Sequence, residues 1–197
     1  MTKKLMLIAC GLSVASCTPM QRPITQHYAI TTFYHSAASA HPQHACLYIN
    51  KTQALSSLSD SSMFYISKPY TLMPFAHNAW IMPPAEMISP LLTRSVQDSH
   101  IFRAVTSDTS LNSCEYRLDS TLLTLQQDFR QKPSTLQLSV SITLVSMSQN
   151  RLIASQVFQE SVPCPKDSPL GGAIAANIAT EHLTRDVSQF IRRTLTH

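Results

Sequence analysis

The chain has 197 residues, enough for one domain with a buried core, and its 15 Lys and Arg residues stand against 11 Asp and Glu residues. This small excess of positive charge, with no basic cluster interleaved with aromatic residues, argues against a nucleic-acid-binding protein. Because the chain has only three glycines, it cannot form the glycine-rich loops that cradle nucleotide phosphates, so we expect neither ATP hydrolysis nor a bound cofactor.

The first residues have the pattern of a secretory signal peptide. Lys3 and Lys4 precede an apolar run that extends from Leu5 to about Ala15. This run is shorter than the roughly 20 apolar residues that a membrane-spanning helix needs. We therefore expect residues 1–16 to be a signal peptide that is removed from the mature protein.

The segment Val14-Ala15-Ser16-Cys17 resembles the lipobox of bacterial lipoproteins. The resemblance implies that Cys17 receives a diacylglycerol and palmitate and becomes the new N-terminus. Thr18, in place of an aspartate, implies anchoring at the periplasmic face of the outer membrane. Several acyl chains anchor a protein stably, since each buried CH₂ adds about 0.8 kcal/mol. The alternatives are cleavage at Cys10, which too few apolar residues precede, and ordinary secretion with an incidental Cys17.

Residues 17–26 contain prolines and polar residues without a periodic apolar face, and we expect them to form a tether. The domain then extends over residues 27–197. Its first part contains short apolar segments that are typical of strands. These segments are His27–Ile30, Cys46–Ile49 and Met63–Ile66, and a turn with a short extended piece follows over Ser67–Leu72.

The next element is a helix that we expect to begin near Pro84. Proline favours the first helical position, and Glu86 suits the first turn of a helix. Pro90 either kinks this helix or delays its start. A short strand follows at His100–Val105. The apolar residues expected on the buried side of the helix are Met87, Ile88, Leu91, Leu92 and Val96.

From about Glu115 to Val162 the sequence predicts three consecutive antiparallel strands. In the middle strand, the even-numbered residues from Leu136 to Leu144 are apolar and alternate with Ser, Thr and Gln, which indicates a sheet covered on one side. The preceding strand changes phase after Leu122, which a β-bulge explains. A final helix, capped by Asp167 or Ser168, lies across the sheet. Its periodic apolar residues are Ile174, Ile178, Leu183, Val187, Phe190, Ile191 and Leu195.

Three cysteines remain after processing, so at most one intramolecular disulfide can form. The predicted meander places Cys114 and Cys164 at opposite ends, which argues against a bond between them. We expect these two cysteines and Cys46 to be buried free thiols.

Several motifs in this order carry a family resemblance over roughly residues 27 to 195. An apolar and aromatic strand ends in Tyr65, a Trp-x-x-x-Pro motif spans Trp80 to Pro84, and a short strand over Ile101–Val105 follows the helix. The later segments are Tyr116–Leu118, Leu125–Phe129, Arg151–Phe158 and an alanine-rich closing helix that carries Asn177. Together these motifs resemble the auxiliary lipoproteins of ABC-type transport systems, which accompany paraquat-inducible and MCE-type lipid transporters.

Periodicity and resemblance together predict an α/β (α+β) fold with a single domain. A mainly antiparallel sheet with a three-stranded meander is packed by two main helices on one face. The resemblance also implies a role without catalysis beside an MCE-type protein, an ABC permease and an ATPase. A conduit with rotational symmetry invites a ring-shaped homo-oligomer, although no residue specifies a number. The alternative function is a structural or assembly lipoprotein of an outer-membrane complex that handles no lipid.

The candidate contacts to a partner or a lipid are Tyr65 and Trp80, because Tyr and Trp offer large, partly polar surfaces at interfaces. The alternative for Trp80 is that it anchors the start of the helix in the core. His35, His41 and His44 fall in one loose segment, and metal sites need a rigid set of ligands, so we expect no metal there. We also expect no catalytic residues, because the chain has no Gly-x-Ser-x-Gly motif and its carboxylates lie beside basic residues.

Overall fold

Residues 24–36, 43–108 and 114–195 are described by a computed structural model of the protein. The helices are α1 (Pro84–Asp98) and α2 (Pro169–Leu195), and a short 3₁₀ turn spans Ser56–Leu58. The strands are β1 (Gln26–Tyr28), β2 (Gln43–Ile49), β3 (Gln53–Ala54), β4 (Ser62–Lys68), β5 (Thr71–Trp80), β6 (Phe102–Thr106), β7 (Tyr116–Asp128), β8 (Thr135–Ser146) and β9 (Arg151–Pro163).

The three longest strands form the antiparallel meander that the sequence predicts. β8 lies between β7 and β9 and pairs with both along nearly its whole length. The even-numbered residues of β8 from Leu136 to Leu144 are buried on the side that the helices cover, which confirms the prediction from alternation. The register of β7 shifts between Leu122 and Thr124, so the predicted bulge is also present.

The other edge of β7 accepts three short strands one after another. β2, β3 and β4 each pair with it in parallel, and β6 adds to β2, β5 to β4 and β1 to β5. The long pairings of the sheet are therefore antiparallel, while the shorter ones are mostly parallel. The sequence does not predict the parallel pairings, because strands this short carry no pattern that specifies a partner.

The first helix agrees with its sequence pattern. α1 begins at Pro84, and Glu86 lies in its first turn. Pro90 lies inside the helix and is exposed, so it does not delay the start. The predicted buried side is confirmed, since Met87, Ile88, Leu91, Leu92 and Val96 are all buried.

The second helix packs closely through small residues in its first half, and this corrects part of the predicted buried side. Ala175, Ala176 and Ala179 have no exposed surface, so the helix backbone approaches the sheet there. Ile174 and Ile178 lie on the outward side and are exposed. The prediction that these two isoleucines lie on the buried side is therefore wrong. The alanines form the buried side here, and a pattern of large apolar residues does not reveal them.

The structure contains a disulfide between Cys46 and Cys114, which closes a separation of 68 residues. The prediction of free thiols is wrong for this pair. The two cysteines meet because β2 and β7 are parallel neighbours, a pairing that the sequence did not indicate. Cys164 is free and buried, as expected, and burial raises the pKa of its thiol.

Candidate functional site

The segment Ala29–Ser36, which we call the strap, follows β1 and contacts both helices. Asn177 of α2 holds its first half. The Asn177 Oδ1 atom accepts hydrogen bonds from the backbone N–H groups of Thr31 at 2.8 Å and Thr32 at 3.1 Å. The Asn177 amide donates to the carbonyl of Ala29 at 3.0 Å. One side chain thus satisfies three backbone groups that no strand or helix would satisfy.

The second half of the strap is held by hydroxyl groups at the interface between α1 and α2. The backbone N–H of Tyr34 donates to Thr184 Oγ1 at 2.9 Å, and its carbonyl accepts from Ser95 Oγ at 3.0 Å. Ser95 and Thr184 are fully buried, and Phe33 between these contacts packs into the core. The strap is therefore part of the folded domain, and β1 leads directly into it.

The structure places Trp80 at the end of β5 with only 2% of its surface exposed. It pairs in parallel register with Tyr28 of β1, and the next residue, Ile81, donates its N–H to the Tyr28 carbonyl at 2.9 Å. The side chain of Trp80 therefore packs in the core and fixes the strand that leads into α1. The exposed residues at this position are its neighbours Ile81, at 52%, and Met82, at 40%.

Tyr65 lies far from Trp80 along the β4–β5 hairpin and belongs to an aromatic cluster. Its ring centroid lies 4.5 Å from that of Phe75 and 5.8 Å from that of Phe129, the latter in an edge-to-face arrangement. All three rings are partly exposed. The structure thus does not bring Tyr65 and Trp80 together, and Tyr65 keeps an accessible surface.

An open groove of about 620 Å³ runs along α1 beside the residues that follow β2. Met82 lies at one end of this groove, close to the start of the helix. Lys51 and Arg94 contribute positive charge to its walls, and Glu86 contributes a negative charge. The groove combines an apolar end with charged walls, which suits an extended polypeptide or a ligand with an apolar tail better than a small buried substrate.

Ionisable groups of the domain form local pairs that support turns. Arg130 Nη2 lies 2.6 Å from Asp128 Oδ2, and this contact holds the pKa of the Asp128 carboxyl below its ordinary range. Gln137 donates to the same oxygen at 3.2 Å. Asp167, proposed as a helix cap, instead accepts the N–H of Ser134 at 2.7 Å, which lowers its pKa, and Ser168 caps α2. These carboxylates have structural partners at the ends of strands.

The histidines whose side chains the structure describes do not assemble into a site. His35 Nδ1 lies 2.9 Å from Asp98 Oδ2 on the surface, while His41 lies outside the described residues. Within the described ranges, no three His, Cys, Asp or Glu side chains are close enough to hold a metal ion. The predicted lipid anchor Cys17 and the signal peptide also lie outside the described residues.

The comparison with protein families gives the strongest result for this chain. A family described as ABC-type transport auxiliary lipoprotein component matches residues 28–188. The chain belongs to this family. The match extends from β1 through the strap and the whole sheet into the last turns of α2. The family identifies an auxiliary lipoprotein of ABC-type transport, which is a membrane-associated component and a different part from the ATP-hydrolysing motor.

Solved structures agree on the fold of this auxiliary lipoprotein. Protein XCC0632 from Xanthomonas campestris is similar with a TM-score of 0.78 at 20% identity, over 87% of this chain and 97% of that chain. An uncharacterized protein gives a TM-score of 0.70 at 13% identity, over 85% and 99% of the two chains. The hypothetical protein CT253 from Chlamydia trachomatis gives 0.53 at 9% identity, over 76% and 96%. No curated protein matches this chain.

Among the helices that the structure describes, none combines the length and the apolar composition that crossing a membrane requires.

Proposed function

We propose that this auxiliary lipoprotein is anchored through acylated Cys17 to the periplasmic face of the outer membrane and serves an MCE-type lipid transport system there. It docks the transport conduit and performs no catalysis, while an ABC permease and an ATPase supply the transport step. The match of residues 28–188 to the auxiliary lipoprotein family carries this proposal. The lipobox-like segment before Cys17 and the absence of an aspartate after it support the outer-membrane anchor.

The groove along α1 is the surface that suits the conduit. It begins at the Trp-x-x-x-Pro motif, where buried Trp80 fixes the backbone and exposed Ile81 and Met82 present apolar side chains. Apolar anchors surrounded by charged side chains are the usual composition of a docking surface. Tyr65 offers a second contact, to a lipid or to a neighbouring copy of the chain in a ring.

The test is purification of the acylated chain from gently solubilised native membranes, followed by mass spectrometry of the proteins and lipids that accompany it. We expect an MCE protein, a permease and an ATPase. A Met82→Asp substitution should remove them, because a charge replaces an apolar anchor of the groove. Leu152→Asp is the matched control, since Leu152 is also exposed, at 59%, but lies on β9 away from the groove. An assembly complex with no transporter component would contradict the proposal.

The anchor has its own test. Cys17→Ala removes the thiol that accepts the diacylglycerol, so we expect an uncleaved precursor without acyl chains. The mass of the N-terminal peptide and the fractionation of inner and outer membranes measure this outcome. Normal maturation of the variant and its recovery in the outer membrane would show that another residue anchors the protein.

A further inference from the structure

Several segments of the chain meet at one end of the sheet, which we call the turn end. The parallel register of β4 and β7 brings the turn after β4 beside the turn after β7, with Ile66 opposite Asp128. The antiparallel register of β8 and β9 brings Pro163 opposite Thr135, so α2 also starts there. The turn end consists of the segments 68–72, 129–134 and 164–170.

Tyr70 protrudes from the turn end without support from the fold. It follows Pro69 in the two-residue turn between β4 and β5, and its side chain is fully exposed. Its φ angle is 60°, a left-handed conformation that favours glycine or asparagine at this position of a turn. A tyrosine here costs folding free energy and gains no packing. The folded domain alone therefore does not explain why the residue is a tyrosine.

The rest of the turn end is apolar and positively charged. Leu72 is 44% exposed beside the tip, and Leu170 is exposed at the start of α2. Basic side chains outnumber acidic ones among the described residues of this end, and Arg130 pairs with one of the acidic side chains. The basic residues are Lys68, Arg130, Lys132 and Lys166; the acidic ones are Asp167 and, directly before the second segment, Asp128. Tyrosine and leucine tips framed by lysines match the interface of a membrane with anionic headgroups.

The direction of the N-terminal strand allows the predicted anchor to lie on the same side. β1 runs parallel to β5, so its first residue points toward the turn end. Ala79 pairs with both His27 and Ser62, which puts β1 level with the first residue of β4. The seven-residue strand β4 spans from there to the turn, a distance of about 20 Å at about 3.3 Å per residue.

The tether is long enough to reach the turn end, and it is shorter than the domain. Six residues lie between Cys17 and Ile24, and the seven Cα–Cα steps span at most about 25 Å. The 27-residue helix α2 starts at the turn end and is about 40 Å long at about 1.5 Å per residue. Since β1 runs in the direction that takes the chain before it toward the turn end, an anchor on Cys17 can lie level with that end.

We propose that the turn end rests on the membrane surface, with Tyr70 and Leu72 among the headgroups and with the lysines facing anionic phospholipid. The chain then presents a fixed orientation to its own membrane. This inference depends on the proposed function only for acylated Cys17, and it requires no transport partner.

The test uses the full mature, acylated chain in vesicles that contain brominated phospholipids, which quench tryptophan fluorescence on contact. The reporter is Tyr70→Trp, and the vesicles contain phosphatidylglycerol and phosphatidylcholine. Native Trp80 provides a constant background, because it is 2% exposed in the core. The matched control is Ile81→Trp, at an exposed position beyond the opposite end of β5. We expect quenching of the reporter at position 70 and none at position 81.

The charge contribution is tested in the same reporter chain. Lys68→Gln and Lys132→Gln should each lower about fivefold, at low salt, the ratio of chains whose turn end contacts the vesicle to chains whose turn end does not. Arg151→Gln, on the opposite turn of the meander, is the control and should have no effect. Replacing phosphatidylglycerol with phosphatidylcholine alone should also reduce quenching.

Two readouts keep this inference separate from the proposed function. Equal quenching at positions 70 and 81, or none at 70, overturns the membrane contact and leaves the transport role untouched. If Tyr70 is shielded from solvent only in the purified transport complex, it contacts a protein partner, and this result would also overturn the membrane contact. A mature chain without acyl groups on Cys17 overturns the inference too, because no tether would then hold the turn end near lipid.

Discussion

Asn177→Ala should release the strap from α2 and destabilise the protein. The substitution removes the acceptor of the Thr31 and Thr32 N–H groups and the donor to the Ala29 carbonyl. A hydrogen bond of this kind contributes about 1 kcal/mol net, so three of them contribute about 3 kcal/mol. Alanine is a better helix former than asparagine by about 0.6 kcal/mol. We therefore expect the free energy of unfolding to fall by about 2 kcal/mol.

The matched control is Asn177→Asp, which has the same shape. It keeps the oxygen that accepts from Thr31 and Thr32 and loses the donations to the carbonyls of Ala29 and Ala173, so it should cost about 1 kcal/mol. Urea denaturation followed by circular dichroism measures both values. Hydrogen exchange should show faster exchange for the Thr31 and Thr32 amides in the alanine variant, while the amide of Leu138 in the meander should stay protected. A loss below about 0.5 kcal/mol with unchanged exchange at Thr31 would refute this account of the strap.

Two further predictions concern the disulfide and the turn after β7. The double substitution of Cys46 and Cys114 by serine should cost up to about 4 kcal/mol, because the bond closes a loop across 68 residues; urea midpoints with and without reductant measure it, and an unchanged midpoint would show that the bond does not form. Asp128→Asn should reduce the loss of folding free energy that accompanies acidification. The contact with Arg130 holds the pKa of Asp128 below its ordinary value of 3.8. The carboxylate therefore stabilises the folded state fully above pH 3.8, and this stabilisation is lost as the pH falls through the folded-state pKa. Parallel acid sensitivity of the variant and the natural chain would contradict this role.

The sequence predicts the elements whose pattern is intrinsic to their own residues. The alternation from Leu136 to Leu144 predicts β8 and its covered face, and Pro84 with Glu86 predicts the start of α1. The sequence predicts only a short extended piece that ends at Leu72, whereas β5 extends from Thr71 to Trp80 with Pro74 inside it. The structure tolerates Pro74 because β1 pairs only with the last residues of β5, which leaves the other edge unpaired at the proline.

The parts that the sequence could not predict depend on contacts between distant segments. The disulfide requires β2 to lie beside β7, and no residue pattern specifies that pairing. The strap has no apolar period, because its backbone groups are satisfied by the side chains of Asn177, Thr184 and Ser95 on two helices. From the sequence, Asn177 stands out only as a matching position of the family resemblance. Its three contacts now give a physical reason for an asparagine at that place.

The strap also explains how a membrane anchor can orient a domain that has no transmembrane segment among its described residues. A flexible linker would let the domain rotate freely, because its end-to-end distance fluctuates widely. Here residues 24–36 form an edge strand and then the segment bound by Asn177, so only six residues separate this part of the domain from Cys17. Asn177→Ala releases the segment directly after β1, a three-residue edge strand that pairs with β5 alone. If β1 detaches with this segment, the tether lengthens by about ten residues, from Ile24 to Tyr34, or by up to about 35 Å. That length approaches the long dimension of the domain, so the variant should lose its fixed orientation even where it remains folded. In vesicles, the Tyr70→Trp reporter should then be quenched less when it is combined with Asn177→Ala than when it is combined with Asn177→Asp. Equal quenching in the two combinations would show that the turn end holds to lipid through its own contacts, without help from the strap.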